Sequence, residues 1–283
     1  MIIANPIYDV VFKRLMENDR AAKFFLGTLL GQEVESLEMQ PQEFTHDIEE
    51  LFGIRLFRLD FMAVVRTDKG ESKKILIEVQ KAKEPTDLMR FRNYLAEQYK
   101  KQEIINQKKT TLPITTIYIL GFPLPGIETA CVHVARQYRD MINESILDKK
   151  NDFIECLTHD SYVVQVLRIT GKYKTRLDKL LSVFEQKNFV GDSEIIKEYE
   201  HETDDEDVKV IANILHHAGT DPESRKEIEN EQEARRTINE MLAAKEKKNL
   251  QTIEEQAKAL DEKDKLLEEQ RKLIEELKKQ LKK

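Results

Sequence analysis

Asp60, Glu78 and Gln80 are the residues of this chain whose types and spacing could do chemistry. Asp60 stands in RLDFMAVV (58–65), and Glu78 and Gln80 stand in ILIEVQKAK (75–83), two apolar runs joined by a short polar stretch. A charge set in an apolar run costs free energy unless it is paired or binds a metal. Two carboxylates and an amide oxygen are hard ligands of the kind that Mg²⁺ or Mn²⁺ takes. An ion held between them could orient and activate a water and neutralise charge building on a phosphate. A structural alternative stands beside this one, in which Asp60 and Glu78 pair with Arg58, Lys74 or Lys81 on an exposed sheet face.

The elements that must position these residues are two strands, over residues 55–66 and 73–81, turned by Asp68, Lys69 and Gly70. Alternation puts Phe57, Leu59, Phe61, Ala63 and Val65 on one face and Leu56, Arg58, Asp60, Met62 and Val64 on the other. In the second strand Ile75, Ile77 and Val79 share one face, and Leu76, Glu78 and Gln80 the other. Pro85-Thr86-Asp87 then opens a helix reaching about residue 106, with Leu88, Phe91, Leu95 and Tyr99 as its buried stripe.

Upstream, Asn5-Pro6 reads as a helix start, with Val11, Phe12 and Leu15 as the apolar face. A second helix is predicted over 21–30 with Gly31 as its stop, then an irregular strand over 34–44. Pro113 precedes the apolar strand ITTIYILGF, and ACVHVAR follows the Pro125-Gly126 turn. From about residue 137 the pattern reads as mainly helical, DKLLSVFEQ and VKVIANILHH being the clearest segments. The order helix, hairpin, helix, strand describes an α/β class with a small mixed sheet flanked by helices.

Three regions are expected: a core over 1–135, a mainly helical extension with an acidic linker over 136–221, and a long helix over 222–283. Ile253, Leu260, Leu267, Ile274 and Leu281 recur every seven residues in that last region, the spacing of a coiled coil, so a homo-oligomer through the C-terminal helix is expected. The companion positions are mixed: Leu250 and Ala257 fit the seam, whereas Asp264, Arg271 and Lys278 do not.

Charge is unevenly spread. Residues 223–283 hold 16 basic and 16 acidic side chains, so the net charge of −7 belongs to the rest of the chain. Within it residues 66–109 carry 12 basic against 7 acidic residues, whereas 192–207 carry nine acids against Lys197. Global acidity speaks against non-specific nucleic-acid binding, but phosphate contact depends on local basic patches such as 66–109. Cys131 and Cys156 are far apart with no CxxC, so free thiols in a reducing compartment are expected. No apolar run approaches the ~20 residues of a membrane helix and no signal pattern opens the chain, so a cytoplasmic protein with no membrane partner is expected. His159-Asp160-Ser161 has the residue types of a triad, but triads assemble in space and not by adjacency. The 192–207 run lacks the glycine and spacing of a calcium loop and reads as a solvated linker.

Asp60, Glu78 and Gln80 across a hairpin, followed by a helix carrying Arg90 and Tyr94, resemble the PD-(D/E)XK nuclease superfamily. The similarity is closest to the bacterial PD-(D/E)XK nuclease family transposases and recombination-promoting nucleases. YDVVFKRLM, FRLDF, IEVQKAK, MRFRNYLAEQY and FIECLTHDSY carry it, over about residues 5–190. The resemblance implies a restriction-endonuclease-like fold and a Mg²⁺- or Mn²⁺-dependent phosphodiesterase acting on DNA. It implies Asp60 and Glu78 as metal ligands and Gln80 in the place usually held by Lys. Gln positions a water but carries no charge to set against a transition state. Lys81 alternates to the other face, and Lys83 or Arg90 could reach in instead. An acid from the first helix often joins such sites; Asp9 is the best match and Glu17 a weaker one, Asp9 also being an ordinary first-turn acid. Arg90 and Tyr94, four apart on one helix face, either bind a DNA phosphate or brace the ligands, or are a surface Arg over a half-buried Tyr.

Overall fold

Alternation of apolar side chains sets a six-stranded mixed sheet at the centre of the protein. The computed structural model describes residues 1–46, 56–68, 70–80, 87–105, 107–171, 174–187, 189, 195–200 and 203–280. In chain order the elements are β1 (Ile2–Ala4), α1 (Asp9–Glu17), α2 (Asp19–Leu30), β2 (Val34–His46), β3 (Leu56–Thr67), β4 (Ser72–Gln80) and α3 (Asp87–Lys100). There follow β5 (Glu103–Ile105), β6 (Lys108–Thr110), β7 (Ile114–Leu120), β8 (Cys131–Val134), β9 (Tyr138–Arg139), β10 (Ile146–Leu147), α4 (Asp152–Glu155) and β11 (His159–Gln165). α5 (Arg176–Leu181), β12 (Ile196–Glu198), α6 (Glu206–Thr220) and α7 (Pro222–Gln280) complete the chain.

The main sheet has the order β2-β3-β4-β7-β11-β8. β3 lies antiparallel to both β2 and β4, while β7 runs parallel to β4 and to β11. Phe61, Ala63, Val65, Ile75, Ile77, Ile117 and Ile119 face one layer, built from α1, α2, α5 and α6. Phe12 is its pivot, its ring 5.2 Å from Phe61 and 5.6 Å from Phe25 in edge-on contacts. Met62, Leu76 and Ile114 face the other layer, where Phe91, Tyr94 and Leu95 of α3 cover them. Crossing from β4 to β7 through α3 is what makes these two strands parallel. Gly70, at φ 75°, takes the left-handed turn between β3 and β4.

The α/β class and the β3–β4 hairpin are as the sequence predicts, its two faces are so over 61–65 and 75–79, and several other elements differ. Residues 159–165 form a strand between β7 and β8, where a helix was expected, so the sheet continues well past residue 135. Asn5 is fully buried, exchanging bonds with Gln186, and α1 opens only at Asp9 with Tyr8 before it. β1 instead pairs with β12, so the acidic 192–207 stretch holds a strand within it. α3 ends at Lys100, short of the predicted residue 106.

Two units divide the chain, Met1–Glu231 and Gln232–Lys283. In the second, Ile253, Leu260, Leu267 and Ile274 are all more than half exposed on their helix; Leu281 lies outside the described residues. Among the described residues no helix is long and apolar enough to cross a membrane.

Candidate functional site

β4 is an interior strand, flanked by β3 and β7, and Glu78 is 1 % exposed on it. Its face is set by parity: Leu76, two residues before, packs under α3. The antiparallel register runs Ala63↔Ile75, Met62↔Leu76, Phe61↔Ile77. The pairs end there, and Asp60 and Glu78 are the next residues of the two strands.

Burial and pairing remove Lys74 from the structural alternative. Glu78 is not on an exposed face, and the buried Lys74 ammonium is engaged elsewhere, 2.6 Å from Glu103. The side chains of Asp60, Gln80 and Arg90, and Lys81 and Lys83 entirely, lie outside the described residues. Asp60 and Gln80 are thus placed as strand positions, Gln80 two residues after Glu78 and of the same parity.

Parallel pairing sets Tyr118 of β7 beside Glu78. Burial pushes the Tyr118 phenol well above its usual pKa, a bond to Thr116 pulls it down, and the charge of Glu78 pushes it up again. Thr116 in turn donates to the Ser161 hydroxyl on β11 at 2.8 Å. A polar lane therefore crosses the α3-covered face from β4 to β11. α3 roofs it: Phe91 lies 4.6 Å from the Tyr118 ring, and Tyr94 is 4 % exposed against Phe91. Tyr94 is thus interior and not a surface residue. Gln98, 1 % exposed, stands one turn beyond it. Neither Gln98 nor Tyr118 was singled out by sequence; the only signal was Gln98 falling seven residues after Phe91, on the apolar stripe.

The chain matches no known protein-family model, no curated protein and no solved structure.

Asp9 sits elsewhere. α1 packs on the opposite face of the sheet from Glu78, through Val11, Phe12 and Leu15. The first turn of α1 and the Glu78 carboxylate therefore belong to different layers, and the Asp9 and Val10 amides donate to the Glu231 carboxylate at 3.1 Å. Glu17 closes the same helix at its far end. His159, Asp160 and Ser161 form no triad: His159 meets the Tyr99 hydroxyl at 2.9 Å, Asp160 accepts from Arg136 at 2.8 Å on the other face, and Ser161 joins Thr116.

Several of the basic residues over 66–109 are taken by neighbours: Lys73 by Glu71, Lys74 by Glu103, Lys100 by Glu97. Arg92, Lys101, Lys108 and Lys109 are exposed. α3 starts near the Tyr118 end of β7, through Phe91, and finishes near its start, through Tyr99 and His159. Arg92 therefore lies toward the Glu78 end, and Lys101 toward the other. Among the described residues no three His, Cys, Asp or Glu side chains gather as a metal set.

Proposed function

We propose that this protein is a metal-dependent DNA phosphodiesterase with a restriction-endonuclease-like core, of the bacterial recombination or defence type implied by its resemblance to PD-(D/E)XK nuclease family transposases. The observation that carries the reading is Glu78, buried on an interior strand directly after the last β3–β4 pair, Phe61↔Ile77, with Asp60 the residue before Phe61 on β3. Asp60 and Glu78 would hold Mg²⁺ or Mn²⁺, and the donor set, two carboxylates with an amide oxygen two residues on, suits either ion. A bound ion supplies an activated water and offsets charge on the phosphate. Gln80 orients that water, the roof of Tyr94 and Phe91 keeps solvent from the inner side of Glu78, and Arg92 with Arg90 meets the DNA backbone. Lys81 and Lys83, following directly on β4, add to that contact. Asp9, in the other layer, is left out of the metal set.

Incubation of supercoiled plasmid with Mg²⁺ or Mn²⁺ tests this. Asp60→Ala and Glu78→Ala are expected to lose nicking by on the order of 100-fold or more, as loss of a metal ligand does. Equal nicking by all three proteins would sink the assignment. A second reading, a nuclease-like fold kept for binding with little catalysis, draws on Gln80 standing where Lys is usual and on the net charge of −7. It predicts no plasmid cleavage, and DNA or protein binding that survives Glu78→Ala. Oligomerisation through the exposed heptad stripe of α7 fits either reading.

A further inference from the structure

β8 is an outer strand of the sheet, and among the described residues β11 alone pairs with it. An outer strand turns backbone N–H and C=O groups outward, the feature through which sheets join edge to edge. The chain leaving this edge displays its apolar side chains instead of hiding them. Met141 is 85 % exposed, Ile142 95 %, Phe153 72 % and Leu157 59 %, with Val134 of β8 itself at 56 %. Single apolar residues on a surface are ordinary, but large ones gathered in one short segment mark a contact surface.

This segment is held rigidly. Arg136 donates to Asp160 at 2.8 Å and to the Glu155 carboxylate at 2.9 Å, and Tyr138 donates to Glu155 at 2.6 Å. At the tip of the β9–β10 hairpin the Asp140 amide donates to the Ser145 carbonyl at 2.9 Å, and the Ile142 amide to the Asp140 carboxylate at 2.8 Å. Glu144 takes φ 60°, a left-handed conformation costing a non-glycine residue about 1–2 kcal/mol. A surface ordered before contact loses less entropy on binding.

We infer that this edge is where a second copy of the chain docks, β8 antiparallel to the β8 of its partner, with the β9–β10 hairpins and α4 closing over the join. A two-fold axis makes the same short edge complementary to itself, and the antiparallel ladder is the one such an axis generates. Charge selects this occupant. Over residues 139–150 Arg139, Lys149 and Lys150 balance Asp140, Glu144 and Asp148. A surface for DNA or for anionic lipid carries net positive charge, whereas a mixed, neutral one suits a copy of itself. Area contributes: five large apolar side chains, each more than half exposed, add to the strand edge toward the ~800 Å² per partner of a stable interface.

The surface is built from other residues than the Glu78 face and the heptad positions of α7, so the test separates them too. In the full chain with Cys131→Ser and Cys156→Ser, Val134→Cys is treated with a short bis-maleimide, with Glu35→Cys on the opposite edge strand as the control. A cross-linked dimer at 134 and none at 35 is expected. Adding Met141→Asp with Ile142→Asp, which alters only exposed side chains, should cut the yield at least tenfold with melting temperature unchanged. Leu260→Pro in α7 should leave it in place. No cross-link at 134, a cross-link indifferent to the two aspartates, or one abolished by Leu260→Pro would each overturn the inference.

Discussion

Lys197 gives a prediction whose size can be worked from the structure. Its side chain is 4 % exposed; the ammonium donates to the carbonyls of Glu185 at 2.7 Å and Ser182 at 3.2 Å, and lies 4.7 Å from the Phe189 ring and 5.8 Å from that of Tyr199. Burial lowers its pKa from 10.5 to about 8, the charge of Glu185 opposing the fall. The folded amine therefore gives up its proton before the unfolded one does. Between those two values the unfolded chain binds more protons, so stability rises with pH through the window; below about pH 8 both states are protonated and the cost of the buried charge is constant. From pH 7 to 9.5 the gain is about 2 kcal/mol, or roughly 4–8 °C in melting temperature for a unit of this size. Lys197→Met lacks this gain. Cys131, whose thiol burial pushes up to about 11, works in the opposite direction above pH 9, but does so in both proteins. The assay is urea unfolding of the two proteins at pH 7, 8, 9 and 9.5. A difference in stability between them that stays constant with pH would refute the reasoning.

Three further outcomes are expected. Glu103→Ala should cost more than Lys74→Met, about 3–5 kcal/mol against 1–2, because it strands an ammonium that is 1 % exposed, whereas Glu103 keeps some access to water; chemical denaturation of both reads the order. Gly219→Ala should destabilise by about 1–3 kcal/mol, because a Cβ there would stand 2.9 Å from the Ala4 amide nitrogen, backbone that has little room to yield; thermal unfolding checks it. Arg136→Gln should cost about 3 kcal/mol or more by leaving Glu155 and Asp160 without their shared partner, and should raise protease cleavage in 136–158 if that hub is what holds the hairpin.

The parts of this fold legible in the sequence are those written in short-range patterns. Period-two alternation in β3 and β4 set both faces of the hairpin, and with them the side on which Glu78 stands. β11 was not legible because it opens with His159, Asp160 and Ser161, polar residues whose partners Tyr99, Arg136 and Thr116 come from elsewhere in the chain. β1 and β12 are three residues each, too short for any period to register. Asn5-Pro6 carries the chemistry of a helix start, yet Asn5 is claimed by Gln186, 181 residues away. At the site, carboxylates in an apolar strand were visible, but the lane through Tyr118, Thr116 and Ser161 exists only once β7 and β11 lie side by side.

The pairing of β1 with β12 also bears on how the chain is made. Ile2, Ile3 and Ala4 find their partners at Glu198, Lys197 and Ile196, and Gly219 of α6 presses on the same strand. At a synthesis rate of roughly 5–20 residues per second, the amino-terminal strand waits on the order of 10–40 s before its mate leaves the ribosome. The layer over α1 stays unsealed for that interval, with Phe12 and Leu15 of that helix exposed to chaperones or to misplaced contacts. Sealing of that layer thus waits on a pairing between segments separated by most of the first unit.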